Sequence, residues 1–257
     1  MLLLGYWLPG GAHAVTSPDI GREQRLASEI QDAILEGDVT YLTGDAGHRF
    51  LAIQTPAVAQ PAKGTVVLLH GRGLHPDWAN VMHPLRVGLS ERGWDTLAIQ
   101  LPVLDKSALY YDYVAIFDGA IPRIEAALGL ARQSPSGPVV LLAHSCGAHM
   151  AHHWMARGGP AALSRFDAYI GIGMGATDAG QPMREPFVFE QMHMPILDLY
   201  GANDYSAVRR MAKARRAGMA RGGNPKNAQV VVPDADHNFV DRGPALLDVV
   251  ANWLDTL

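Results

Sequence analysis

From Leu51 onward the chain alternates between short apolar runs and longer stretches whose apolar residues recur at helical spacing. The runs "TVVLLHG" (65–71), "WDTLAIQLP" (94–102), "PVVLLAHS" (138–145), "AYIGIGMG" (168–175), "PILDLYG" (195–201) and "AQVVVPD" (228–234) are continuous, without polar alternation. Continuous runs of this length are expected of strands covered on both faces. Helices are predicted between them, over 77–93, 107–133, 146–158, 205–219 and 244–256. Strand and helix in regular succession predict an α/β fold, a mostly parallel central sheet with helices on both faces. "RFLAIQTPA" (49–57) adds an antiparallel strand, preceded by a helix near 22–36. With neither repeat nor low-complexity linker, residues 15–257 are expected to form one domain.

In sheets of this kind ligands bind where the strands' C-terminal ends open into loops. The residues at those positions are His70-Gly71-Arg72-Gly73, Ser145, Asp204 and His237. Ser145 lies in Ala143-His144-Ser145-Cys146-Gly147, between an apolar strand and a helix. That is a variant of G-x-S-x-G, in which small residues permit a sharp strand-to-helix turn that lifts the serine hydroxyl above the sheet. The plain alternative is a serine that caps the following helix. A nucleophilic serine needs a base, and the base needs a third group to orient it. Asp204 follows the run ending at Gly201, and His237 follows the last strand.

With "HGRG", "AHSCG", "GAND" and "DH" in this order, the chain from about Leu51 resembles the α/β-hydrolase superfamily. It is similar to small lid-less bacterial lipases and esterases, and also to an uncharacterised bacterial family of that superfamily. The resemblance implies an α/β-hydrolase fold with a minimal cap, and Ser145 as nucleophile, Asp204 as orienting acid and His237 as general base. It further implies an oxyanion hole from the backbone amides of Arg72 and Cys146. Ala143 departs from the glycine usual at the first small position.

Other residues compete for these roles. Asp198 lies inside its strand, and Asp234 and Asp236 sit beside His237 along the chain, so loop position favours Asp204. Cys146 follows the elbow serine, and its thiol at a helix N-terminus is a candidate for reactivity. His149, His152 and His153 have spacings that could hold a metal, but the glutamate of H-E-x-x-H is missing. Buried or surface histidines are the plainer account, and neither metal nor cofactor is expected. Arg209, Arg210, Lys213, Arg215 and Arg216 read as a solvated basic helix face.

The substrate site is expected to be shaped by Gly71, Trp78, Tyr110, Tyr111 and Tyr113, with the side chains of Arg72 and His75 near the mouth. The connection 176–194 holds Pro182 and Pro186, which disfavour one long helix, so a flap is expected there in place of a lid domain.

Composition narrows the partners. A net charge of −4 gives no basic face for nucleic acid. A lone cysteine excludes an internal disulfide. No segment has the ~18 unbroken apolar residues of a membrane span, so stable membrane insertion is not expected. Residues 1–14, "MLLLGYWLPGGAHA", end in a small-x-small pattern but lack a basic start. They read equally as a signal-peptide remnant, implying a periplasmic or secreted protein, or as an apolar tail on a cytoplasmic one. The expected partner is a small-molecule ester, with oligomeric state left open. Two function classes follow: a serine hydrolase of esters, with thioesterase, lipase, amidase or peptidase as variants, or a hydrolase-like fold that binds without turnover.

Overall fold

The computed structural model describes residues 17–44, 47–134 and 137–257. The segment 1–14, read above as a possible signal, lies outside them. Eight strands form one sheet: β1 (Asp38–Thr43), β2 (Arg49–Thr55), β3 (Thr65–Leu69), β4 (Asp95–Ile99), β5 (Val139–His144), β6 (Ala168–Ile172), β7 (Ile196–Gly201) and β8 (Ala228–Val232). Their order is β1-β2-β4-β3-β5-β6-β7-β8. β2 pairs antiparallel with both β1 and β4, and every later pairing is parallel.

The helices are α1 (Ile20–Gln31), α2 (Met82–Glu91), α3 (Tyr110–Val114), α4 (Ile121–Ala131), α5 (Cys146–Leu163), α6 (Ser206–Gly222) and α7 (Gly243–Leu254). They cover the sheet in two layers, and the strand period of two divides each apolar run between them. Val67, Leu69, Leu141 and Ala143 pack with Ile124 and Leu128 of α4 and Ala148, Ala151 and Met155 of α5. Their neighbours Val66, Leu68, Val140 and Leu142 pack with Leu85 and Leu89 of α2 and Leu246 and Val250 of α7. Two covered faces explain why these strands carry no polar alternation.

The structure differs from the sequence-based expectation in three places. The predicted helix 107–133 is broken into α3, a 3-10 turn at Phe117–Ala120, and α4. Pro122 sits in the first turn of α4, where its missing N–H costs nothing and its fixed φ favours a helix start. β1 was not anticipated, because "DVTYLT" is a partly exposed edge strand with no apolar run. α5 continues past 158 through a kink at Gly159, whose φ is 53° and which precedes Pro160.

Beneath the sheet's far end, Asp198 of β7 is fully buried against Arg215 of α6. Arg215 Nε donates to Asp198 Oδ2 at 2.9 Å, and its Nη1 donates to the carbonyls of Met174 and Val208. Gln229 Nε2 donates to the same carboxylate oxygen at 2.6 Å. Arg215 therefore belongs to the interior and not to a solvated basic face. Removing one partner of a buried pair strands the other charge, at about 3–5 kcal/mol. Arg215→Met is accordingly expected to lower the melting temperature sharply in thermal denaturation, and an unchanged transition would show that the pair contributes little.

Candidate active site

Because β3, β5, β7 and β8 run parallel, the loops that follow them open on one sheet edge. Ser145, directly after β5, has φ 53° and ψ −120°, a conformation costly for a residue with a side chain. Its amide donates to the carbonyl of Ile172 at 2.8 Å, fixing the turn to β6. Although Ser145 occupies the N-cap position of α5, its hydroxyl makes no capping bond. It donates instead to His237 Nε2 at 2.8 Å. His237 Nδ1–H in turn donates to Asp204 Oδ1 at 2.7 Å, an oxygen that also accepts the Tyr205 amide at 2.6 Å. A carboxylate can only accept here, so the proton sits on Nδ1 and leaves Nε2 free to receive one. All three residues are buried. Asp198, the competing acid, is committed to Arg215 and Gln229.

Gly147 is needed for close approach. A Cβ there would lie 2.5 Å from the carbonyl oxygen of His70 and 2.9 Å from that of Leu69. Its absence lets the start of α5 press against the end of β3, bringing the Cys146 amide beside the His70–Gly73 loop. Among the described residues, neither the Arg72 nor the Cys146 amide is used in the backbone hydrogen bonding of turns and loops. The Cys146 thiol is buried, and burial pushes it up to about 12. That removes the reactivity considered for it from sequence, since the thiolate is the reactive form.

A cavity of about 410 Å³ lies over Ser145 and His237. Gly71, Arg72, Trp78 and Tyr110 line it, joined by Leu74, His144, Tyr205 and the segment 176–179. Tyr111 and Tyr113 do not line it. Tyr113 is buried with its hydroxyl accepting the Leu104 amide, and Tyr111 lies under the Arg184 guanidinium. α3 is a single helical turn, so neighbouring tyrosines point in different directions. His75 is likewise absent from the lining.

The Arg72 guanidinium, half-exposed at the rim, forms a two-pronged pair with Asp178 at 2.5 and 3.2 Å. Asp178 also accepts the Tyr110 amide at 2.6 Å. Gln181 Oε1 accepts the Tyr111 amide, and the Arg184 amide donates to the Tyr110 hydroxyl. The connection between β6 and β7 is thus a strap tied to α3, holding only a 3-10 turn at Phe189–Gln191.

Sequence reasoning missed two side chains at this site, Tyr205 and His144, and gave His70 only as part of its loop. Tyr205 stacks on the His237 ring, with centroids 4.3 Å apart and planes at 24°. His144 packs on the same ring at 5.1 Å, and its Nε2–H donates to the His237 carbonyl at 3.0 Å. His70 Nε2 accepts the Leu101 amide at 2.9 Å, so its proton is on Nδ1 and goes to the Gly71 carbonyl at 2.8 Å. Burial holds both His70 and His144 down to about 3, so both are neutral. The signal for each was adjacency alone: His70 follows β3, His144 ends β5, and Tyr205 follows Asp204. Of the α5 histidines, His152 accepts the Val188 amide and His153 contacts Asp118 and Glu185. His149 is buried among Tyr110, Phe117 and Phe187. Among the described residues no cluster of three His, Cys, Asp or Glu side chains could hold a metal.

An eight-stranded, mostly parallel sheet with a strained serine at the β5–α5 turn defines the α/β-hydrolase fold, and the chain has that fold. Residues 10–116 match the family described as "Protein of unknown function (DUF3530)", a stretch that ends before Ser145. No curated protein matches the chain by sequence. Among solved structures, a cold-adapted esterase from an Arctic intertidal metagenomic library is similar at 17% identity and a TM-score of 0.63, covering 85% of this chain and 92% of that one. Dienelactone hydrolase from Anabaena variabilis is similar at 16% identity and a TM-score of 0.62, covering 86% and 98%. XC6422 from Xanthomonas campestris, titled an a/b serine hydrolase without lid, is similar at 19% identity and 0.57, covering 86% and 96%.

Proposed function

We propose that this protein is a serine hydrolase that cleaves small carboxylic esters through an acyl-enzyme intermediate. The observation that carries it is the unbroken Ser145–His237–Asp204 hydrogen-bond chain at the floor of a cavity. His237 Nε2 takes the Ser145 proton as Oγ attacks the ester carbonyl. The resulting oxyanion is received by the Arg72 and Cys146 amides, each such donor being worth ~2.7–4 kcal/mol. The helix N-terminus at Cys146 adds favourable potential there. The imidazolium then protonates the leaving alcohol, whose departure leaves the acyl group on Oγ. Water, deprotonated by His237, releases the acid and restores the serine. Esterase and hydrolase neighbours of the same fold support an acyl-transfer reaction.

A fluorophosphonate probe should label Ser145, seen as a single modified peptide by mass spectrometry; an unlabelled serine in folded protein would overturn the proposal. The cavity's size and its lining by Tyr110, Trp78 and the strap suit short acyl groups. Each methylene that finds no burial forgoes ~0.8 kcal/mol. kcat/KM across p-nitrophenyl esters is expected to stop rising beyond roughly four to six acyl carbons, where the ~0.8 kcal/mol increments stop accruing. A preference for long chains with activation at a lipid interface would indicate a lipase.

A further inference from the structure

The helix that precedes the sheet reaches into the proposed site. Arg22, in the first turn of α1, donates from Nη2 to the Gly73 carbonyl at 2.9 Å and from Nη1 to the Leu104 carbonyl. Gly73 has φ 68°, and a Cβ there would lie 3.4 Å from both Arg22 Nη1 and the Tyr113 hydroxyl. α1 is itself firmly seated. Asp19 caps it by accepting the Arg22 amide at 2.8 Å, and the Asp19 amide donates to the Val103 carbonyl. Beside Arg22, the buried Glu23 receives both Nη atoms of the buried Arg123, at 2.9 and 3.0 Å.

We infer that Arg22 is a positioning residue for the oxyanion hole, acting from α1 through the Gly73 carbonyl to fix the direction of the Arg72 amide. The inference rests on the hydrolase function proposed above. The Arg72 N–H belongs to the Gly71–Arg72 peptide, whose carbonyl is held by His70. The next carbonyl but one, that of Gly73, is held by Arg22. With the loop gripped on both sides of the Arg72 amide, this donor is aimed before substrate arrives, and only a preorganised donor avoids reorganisation during reaction. Without Arg22, nothing else among the described residues hydrogen-bonds the Gly73 carbonyl, and the φ-positive glycine is free to turn the loop. The family match, residues 10–116, contains both halves of this assembly, α1 and the loop it grips.

The test compares the wild type with Arg22→Met and Arg22→Lys in the full chain. Three quantities are read: kcat and KM on a short-chain p-nitrophenyl ester, the affinity of a trifluoromethyl ketone that forms a tetrahedral adduct with the serine, and the melting temperature. Arg22→Met is expected to lower kcat on the order of tenfold with KM little changed, less than the 10²–10³ of a deleted donor. The ketone's affinity should fall by the same factor, and Arg22→Lys, which retains one donor, should recover part of both. Loss of kcat without loss of ketone affinity, or unchanged kinetics, would overturn the inference. If Arg22→Met fails to fold, Arg22→Lys carries the same comparison. A wild-type protein that neither hydrolyses esters nor binds the ketone would instead defeat the hydrolase proposal itself.

Discussion

Ser145→Ala is expected to abolish ester hydrolysis, lowering kcat by ~10⁶, while leaving the fold in place. Only the hydroxyl is removed, and its one hydrogen bond among the described residues is the 2.8 Å contact to His237 Nε2. The amide bond from residue 145 to the Ile172 carbonyl does not depend on the side chain, so the β5–α5 turn is retained. Alanine keeps the strained backbone at φ 53°, whereas glycine would relax it. Ser145→Gly should therefore be equally inactive yet melt above Ser145→Ala, by an amount set against strain of order 1–3 kcal/mol. Activity is read with a short-chain ester and folding by circular dichroism. An alanine variant that keeps most of its rate would sink the serine mechanism. If glycine gave no gain over alanine, the turn would not be storing strain.

The two kinds of strand in this sheet differed in how plainly they could be read. β3, β5 and β6 are buried along their whole length, and a strand covered on both faces is apolar at nearly every position. β1 lies at the sheet edge with one side wet, so its residues carry no such constraint. The positions of Ser145, Asp204 and His237 were legible for a topological reason: parallel strands deliver their C-terminal ends to one edge, and each of these residues follows such an end. What could not be read was contact between distant parts. Arg22 meets a carbonyl 51 residues away, and nothing in the local pattern of α1 marks it. Arg215 looked like one of several surface cations until the fold put Asp198 beside it. The expectation for Tyr110, Tyr111 and Tyr113 failed in part for another reason. A single helical turn sends adjacent side chains in different directions, and only Tyr110 reaches the cavity.

His237→Ala should match the loss in Ser145→Ala, and Asp204→Asn should cost ~10⁴, the size seen when a triad acid is made an amide. Asp204 Oδ1 lies 2.7 Å from His237 Nδ1 and dictates that Nδ1 bears the proton. An asparagine can turn its NH2 toward the ring, move the proton to Nε2 and leave Ser145 facing a donor. Asp198→Asn separates the two candidate acids: it should lower thermal stability through Arg215 while leaving kcat close to wild type. Were Asp198→Asn the more damaging to kcat, the acid would have to be reassigned to β7. The same assignment fixes the response to pH. His237 must be neutral to accept the serine proton, so kcat/KM should fall on acidification. His70, His144, His149 and His152 are each held at about 3 by burial, and stay neutral through the weakly acidic range. None of these four therefore contributes to the acid limb. A rate flat from weakly acidic to alkaline pH would exclude His237 as the base.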